Sequence, residues 1–529
     1  MSGFAVAHTI SVQGVLGHLI DVEVDVSPGM VRTTVVGRPD ATLQEARDRC
    51  RMAIVNSDLT WPATRRVTVG LSPSELPKSG THFDLAIAVA IVAATDQLPP
   101  EALRDTVFLG ELTLAGALRS VPGVLPMALA ASARGIRRVF VPEPQAAEAA
   151  LVPGMSVLGL RSLGQVVAEL RGVEVPDAPP VAPRSGSNLL TWRGRGRMDE
   201  LDLADVHGLE DARFALEVAA AGGHHLLLSG PKGSGKTTLA ERIPSILPAL
   251  TPEESLELTA ICSLAGTLEP GALAVTRPPF LAPHHSASRA SLLGGGTGLV
   301  RPGEVSRAHA GVLFLDEFPL FDAHVIEGLR QPLESGEVTI ARSGMTATFP
   351  ARGLVVLASN PCPCGDFHPA ARENRCICSE VRRREYRRKL TGPLVDRIDI
   401  VRHVLPVQSY EIDDPFADPE PSTTVRERVA AARAVQADRF AGRGWRVNGQ
   451  APGPDLRTDW PLRAEAARAL EGEISAGRLS RRGATRVHRL AWTVADLAGE
   501  AVPGRDELDV ALRLRTGEPL LAATVGGRA

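Results

Sequence analysis

Eight consecutive residues, Gly230-Pro231-Lys232-Gly233-Ser234-Gly235-Lys236-Thr237, carry the spacing G-x-x-x-x-G-K-[ST]. Glycines at this spacing let backbone N–H groups turn toward phosphate oxygens, and a helix opening at Lys236, Thr237 and Thr238 adds the positive end of its dipole. Lys236 is the residue type that reaches β- and γ-phosphates, and the Thr237 hydroxyl is a ligand for Mg²⁺. Further on, the apolar run Val312 to Leu315 ends in Asp316-Glu317. Two acids in that place suit a metal and a water: Asp316 to hold Mg²⁺, Glu317 to orient and deprotonate the attacking water. A third apolar run ends in Asn360, whose amide suits the positioning of the same water. The chemistry expected of this set is hydrolysis of ATP with Mg²⁺.

These groups work only if buried parallel strands deliver them to one edge, and the chain has the pattern for it. "HLLLS" precedes the glycine-rich turn, "VLFL" precedes the acids and "GLVVLAS" precedes Asn360, each a short continuous apolar run. With 529 residues the chain needs several cores. Residues 1–172 alternate strand-like and helical runs and read as one α/β domain. Residues 173–199, rich in Pro, Ser and Gly, read as a linker. Residues 200–405 read as the α/β nucleotide-binding core with a parallel sheet, and residues 406–529 as an all-helical lid and carboxy-terminal region. A net charge of −3 excludes a globally basic surface, so contact with nucleic acid needs local cationic patches. The most apolar run, Phe83 to Ala94, is too short to span a bilayer, and the expectation is a cytoplasmic protein with no membrane partner.

Four of the six cysteines crowd into Cys362, Cys364, Cys376 and Cys378. Four soft ligands so close are the composition of a structural Zn²⁺ site, with plain reduced thiols as the alternative. Cys50 and Cys262 read as core residues. Arg382 to Lys389 carries six cations and one tyrosine, a pattern open to a nucleic-acid backbone, a subunit interface or a solvated helix face. Between Glu334 and Ala351 the sequence alternates as a hairpin with its turn near Ser343-Gly344. His284 and His285 read as hydrogen-bonding loop residues.

The phosphate loop, "LFLDE", "LASN", "PHHSAS", "LLGGG", "NPCPCG" and "GPLVDRIDI" together resemble the YifB/ComM family of magnesium-chelatase-like AAA+ ATPases, and the resemblance runs over essentially the whole chain. It implies a homo-oligomeric ring, a hexamer, in which Arg397 acts on a neighbour's γ-phosphate, its alternative being an ion pair with Asp396 or Asp399. It also implies a sensor arginine in the lid, either Arg482 or Arg486, contacting nucleotide. The segments 291–306 and 334–351 resemble pore-facing insertions, in which Arg342 and Gly294-Gly295-Gly296 would meet DNA; surface loops are the alternative. Residues 1–172 resemble a Lon-protease-like domain, with His82 and Leu125 standing where that enzyme's serine and lysine would be, which implies an inactive scaffold. The function implied is a motor acting on single-stranded or branched DNA, a branch-migration helicase of recombination or natural transformation. The alternative is a chelatase-like ATPase that remodels a protein or a metal-insertion partner.

Overall fold

The computed structural model describes the chain apart from residues 1–2, 183–199, 269–270, 272, 297–299, 343–344, 368–375, 391, 393, 408–418 and 522–529. Its first sheet is built from β1 (Gly3–Gln13), β2 (Leu16–Ser27), β3 (Thr33–Val36), β4 (Arg66–Ser72), β5 (Thr106–Phe108), β8 (Arg138–Pro142) and β9 (Ser156–Leu160) in the order β3-β4-β2-β1-β5-β8-β9. A small antiparallel pair, β6 (Glu111–Leu112) and β7 (Leu118–Arg119), stands beside it. Alternate residues of β2 are buried, as a sheet with one covered face requires. The covering helix, Asp84–Ala94, is apolar on every side and buried along its whole length. Its one charge, Asp84, is matched by Arg49 at 2.7 Å.

The second sheet runs β11 (Phe280–Leu281), β14 (Val312–Leu315), β17 (Leu354–Ser359), β10 (Leu226–Ser229), β18 (Ile400–His403), and every neighbouring pair is parallel. Both faces are covered, which explains the unbroken apolar runs noted in the sequence. Register then decides the chemistry. Ser229 pairs with Ser359, and Leu315 pairs with Leu357, so the residues that follow β10, β14 and β17 emerge together at one edge. Helices Glu210–Gly222 and Lys236–Ile246 pack on this sheet, and its core continues into the helices Ser422–Arg439, Ala464–Ser475, Arg481–Ala498 and Arg505–Thr516. Among the described residues no helix is long and apolar enough to cross a membrane.

The two α/β units share a core. Ala260 and Leu264 of the helix Pro252–Ala265, Val300, and Ala347 and Phe349 of β16 (Met345–Pro350) are buried with Ile10, Val12, Leu125 and Met127 of the first unit. The buried Glu148 carboxylate crosses the same boundary: it accepts from the Leu125 amide at 2.8 Å and from the Ser263 hydroxyl. The two insertions expected to face a pore thus have a packed side. β15 (Glu337–Arg342) pairs with β16 as the predicted hairpin, but Ile340, Ala347 and Phe349 turn inward against the first unit. Arg342 ends β15 opposite Met345, and the expected turn at Ser343-Gly344 lies outside the described residues. Gly294 and Gly295 form β12 and pair with β13 (Arg301–Pro302) rather than standing as an open turn. Cys50 is buried as expected, whereas Cys262, on the partly open side of its helix, is only half-buried.

Phe349→Ala should therefore loosen the join between the units as well as the hairpin. A loss of about 3–5 kcal/mol is expected from truncating so buried an aromatic. Denaturant unfolding, with limited proteolysis reporting release of residues 1–172, checks both.

Candidate nucleotide site

Gly230 leaves β10 with its amide bonded to Ser359 O at 3.1 Å. A Cβ there would lie 2.0 Å from Val404 O, so glycine is the residue that fits. The loop closes through Gly235, whose φ of 89° is left-handed and caps the Lys236–Ile246 helix. Lys236 is buried, and its ammonium donates to Gly230 O at 2.8 Å and Pro231 O at 2.7 Å. Burial lowers its pKa, while Asp316 and Glu317 pull it back up. The arrangement holds a cation at the centre of a ring of backbone groups ahead of a helix N-terminus, a receptor for phosphate. Lys232 and Ser234 lie in the same loop, Ser234 buried and its hydroxyl 3.4 Å from the Lys236 ammonium. Thr237 and Thr238 follow in the first turn of the helix.

Across the edge, β14 delivers the acids. The Thr237 hydroxyl donates to Asp316 at 3.2 Å, so two hard oxygens converge where Mg²⁺ would be taken up. Glu317 has a φ of 48°, rare for a residue with a side chain, and its amide donates to its neighbour Asp316 at 2.8 Å. Its carboxylate receives the Asn360 side-chain amide at 3.2 Å. The three motifs picked from sequence are thus one connected set, Lys236, Thr237, Asp316, Glu317 and Asn360, equipped for a phosphate ester, a hard cation and a water.

The arginines lie elsewhere. The Asp399 and Ile400 amides donate to His225 O, just before β10, which puts the start of β18 at the edge opposite the phosphate loop. The strand between those edges is on the order of 10 Å long. Arg397, in a turn before β18, pairs with Glu334 at 2.5 Å, and not with Asp396 or Asp399. Asp396 pairs instead with Arg515 at 3.5 Å. Arg486 pairs with Asp399 at 2.6 Å. Burial alone would raise the Asp399 carboxyl, but His224, Arg486 and His225 together hold it well below the usual carboxylate range. Arg482 is exposed and lines a lid cavity of about 580 Å³ with Arg457, Arg481, Leu470 and Ile474, which includes no phosphate-loop residue. Among the described residues, Arg397 is thus engaged by Glu334 and Arg486 by Asp399, and Arg482 lines the lid cavity.

The four thiols of Cys362, Cys364, Cys376 and Cys378 lie within 4.8 Å of one another. Separations of 3.3 Å (362–364), 3.6 Å (364–376) and 3.6 Å (376–362) are close to the roughly 3.8 Å set by four sulfurs around Zn²⁺ at about 2.3 Å. Backbone amides, Asp366 first, pull the Cys364 thiol down to about 6 against the effect of burial, which favours the thiolate a metal needs. The thiols present fit such an ion. The basic run is a helix, Glu380–Leu390, with Arg382 and Arg384 exposed. His82 is buried against Ile10 O at 2.9 Å and Leu125 is wholly buried, so neither position offers a nucleophile or a base to solvent. His284 bonds to Ser286 at 2.7 Å, a loop contact as expected.

Comparison with known proteins agrees along the chain. Family models described as magnesium chelatase, subunit ChlI, as subunit ChlI of Mg-chelatase and as the ChlI carboxy-terminal region match residues 202–412, 22–145 and 419–515. Protein Rv2897c of Mycobacterium tuberculosis is 46% identical over 511 residues, 96% of this chain and 98% of its own. Competence protein ComM of Haemophilus influenzae is 39% identical over 497 residues, 94% of each chain. YifB of Escherichia coli is 38% identical over 517 residues, 98% of each chain.

The geometry separates binding from turnover. Lys236→Ala should weaken nucleotide binding, whereas Glu317→Gln should bind ATP as the parent does and turn it over about 100-fold or more slowly. A fluorescent-nucleotide titration beside a steady-state phosphate-release assay distinguishes the two. Parental turnover in Glu317→Gln would remove Glu317 from the hydrolytic role.

Proposed function

The chain belongs to the YifB/ComM family of magnesium-chelatase-like AAA+ ATPases, and we propose that it is a ring motor acting on DNA in the cytoplasm, a ComM-like branch-migration helicase of recombination or natural transformation. The observation that carries the ring is the position of Arg397, just before β18 at the sheet edge opposite the phosphate loop. Among the described residues, the hydrogen bonds of the hydrolytic set Lys236, Thr237, Asp316, Glu317 and Asn360 include no arginine, while Arg397 stands at the opposite edge, paired with Glu334. In a closed ring that edge meets the next subunit's loop, and Arg397 adds a fixed planar charge there as phosphate–oxygen bonds break. Arg482, exposed at the start of its helix, is the lid arginine that remains to face nucleotide across the same boundary, because Arg486 is committed to Asp399.

Within one subunit Lys236 neutralises the terminal phosphates and Glu317 accepts the proton of the attacking water. Asn360 keeps that carboxylate turned to its task. Mg²⁺ held by Thr237 and Asp316 would offset phosphate charge. Support for DNA comes from the exposed cations of the Glu380–Leu390 helix and from similarity to a competence protein. The thiol cluster holds one structural Zn²⁺ in this reading.

Arg397→Ala should spare DNA binding and abolish DNA-stimulated hydrolysis, with added wild-type subunits restoring part of it. Parental affinity for forked or four-way DNA should fall steeply with salt, since phosphate contacts release counterions. If DNA neither binds the parent at low salt nor raises its ATPase, the motor acts on a protein or a metal-insertion partner instead. Metal analysis should give about one zinc per chain, lost in a Cys362→Ser, Cys376→Ser double variant. Four free thiols in a folded, metal-free chain would reject that site.

A further inference from the structure

The Glu380–Leu390 helix is strongly cationic and mostly exposed, yet it buries one residue, Tyr386, which is 5% exposed. The Tyr386 side chain lies beside the Asn360 backbone and in the field of Glu317 and Asp316. Burial pushes its pKa well up, so it stays neutral. A neutral hydroxyl has a proton to donate, and the charged groups near it include the two acids of the site.

The same helix is tied to the site by two further contacts. The Lys389 ammonium donates to Pro319 O at 2.6 Å and Phe321 O at 3.4 Å, spanning the turn that follows Glu317. Arg383 and Arg387 stand over the Phe367 ring, 4.5 Å and 5.5 Å from its centroid, and Phe367 belongs to the loop between Cys364 and Cys376. That loop also touches the phosphate loop: a Cβ on Gly365 would lie 3.3 Å from the Lys232 Cβ and 3.8 Å from the Asn360 side chain. In sequence the cluster starts two residues after Asn360 and ends two residues before the helix begins. The four thiols thus close a clasp with Asn360 at one end and Tyr386 at the other.

We propose that Tyr386 is a positioning residue for ATP hydrolysis and that the four-thiol cluster controls turnover by holding Tyr386 against Asn360. The inference rests on the reading of Glu317 and Asn360 as the pair that orients water. It assigns the cluster a task beyond stabilising its own loop. With the clasp closed, Asn360 is fixed from its backbone as well as its side chain, and Glu317 keeps its aim. With the clasp open, nucleotide still binds through Lys236 and the phosphate loop, but the water is misdirected.

The test uses the full-length chain. Tyr386→Phe removes one oxygen, and it should keep parental zinc content, melting temperature and ATP affinity while kcat drops on the order of ten-fold at unchanged KM. Parent stripped with a zinc chelator should lose turnover to a similar extent at unchanged ATP affinity. Stripping Tyr386→Phe should add much less than the product of the two losses, since both act on one contact. Parental kcat in Tyr386→Phe overturns the proposal, as does full independence of the two losses. Glu317→Gln is measured alongside: if it too keeps parental turnover, the reading of the hydrolytic pair has failed. If it is dead while Tyr386→Phe is parental, only the role of Tyr386 has failed.

Discussion

In-register parallel pairing of three short strands, β14, β17 and β10, is the constraint on which the molecule's chemistry depends. Each contributes an apolar run that has no side facing water, so a slip along the sheet would strand backbone N–H and C=O groups in a dry interior. Pairing Ser229 with Ser359 and Leu315 with Leu357 leaves no freedom in where the next residues go. Thr237, Asp316, Glu317 and Asn360 come from positions up to 123 apart in number and still make a connected set of hydrogen bonds. The strained backbone at Glu317 is tolerated because the sheet on one side and the Phe318–Leu320 turn on the other leave it no alternative.

The opposite edge of the sheet is built on a different principle. There the connections are buried polar ones: His224 to Thr493 at 2.7 Å, Asn448 to Thr493 at 3.0 Å and to Asp496 at 2.8 Å, and Asp399 to Arg486. Directional bonds of this kind fix how the lid is turned on the sheet more tightly than apolar contact does. The Pro252–Ala265 helix joins the same edge to everything else. Glu257 pairs with His309 just ahead of β14, Thr251 accepts from Arg446 of the lid region at 2.8 Å, and Ser263 reaches Glu148 of the first unit. That helix thus ties the opposite edge of the sheet to both the lid and the first unit.

How much of this was readable depended on distance along the chain. The phosphate loop, the two acids and Asn360 were legible because each is a local pattern, a strand followed at once by its chemistry. The alternation of strand and helix gave both α/β units for the same reason. Partners were not legible. Asp396 and Asp399 flank Arg397 in sequence and were the candidates for an ion pair with it, but the fold gives Asp396 to Arg515, Asp399 to Arg486 and Arg397 to Glu334. Tyr386 was hidden in a run of cations whose helical phase alone does not say which residue turns inward. The hairpin of β15 and β16 was visible as alternation, yet nothing in it signalled that its apolar side covers another unit. Cysteine spacing left the geometry open, and only the return of the chain brings the four sulfurs together.

The core shared between the units bears on the history of the gene. Ile10, Val12, Leu125 and Met127 face Ala260, Leu264, Ala347 and Phe349 in one dry cluster, so neither unit has a complete surface without the other. Deleting the first would lay bare apolar area on the ATPase, an aggregation hazard, and substitutions at the join must be matched from both sides. Such a segment contributes through what it covers, independently of any reaction it performs. Leu125 illustrates the constraint: a lysine there would lose its apolar packing in that dry cluster and bring a charge whose nearest buried partner, Glu148, is already engaged by the Leu125 amide and the Ser263 hydroxyl.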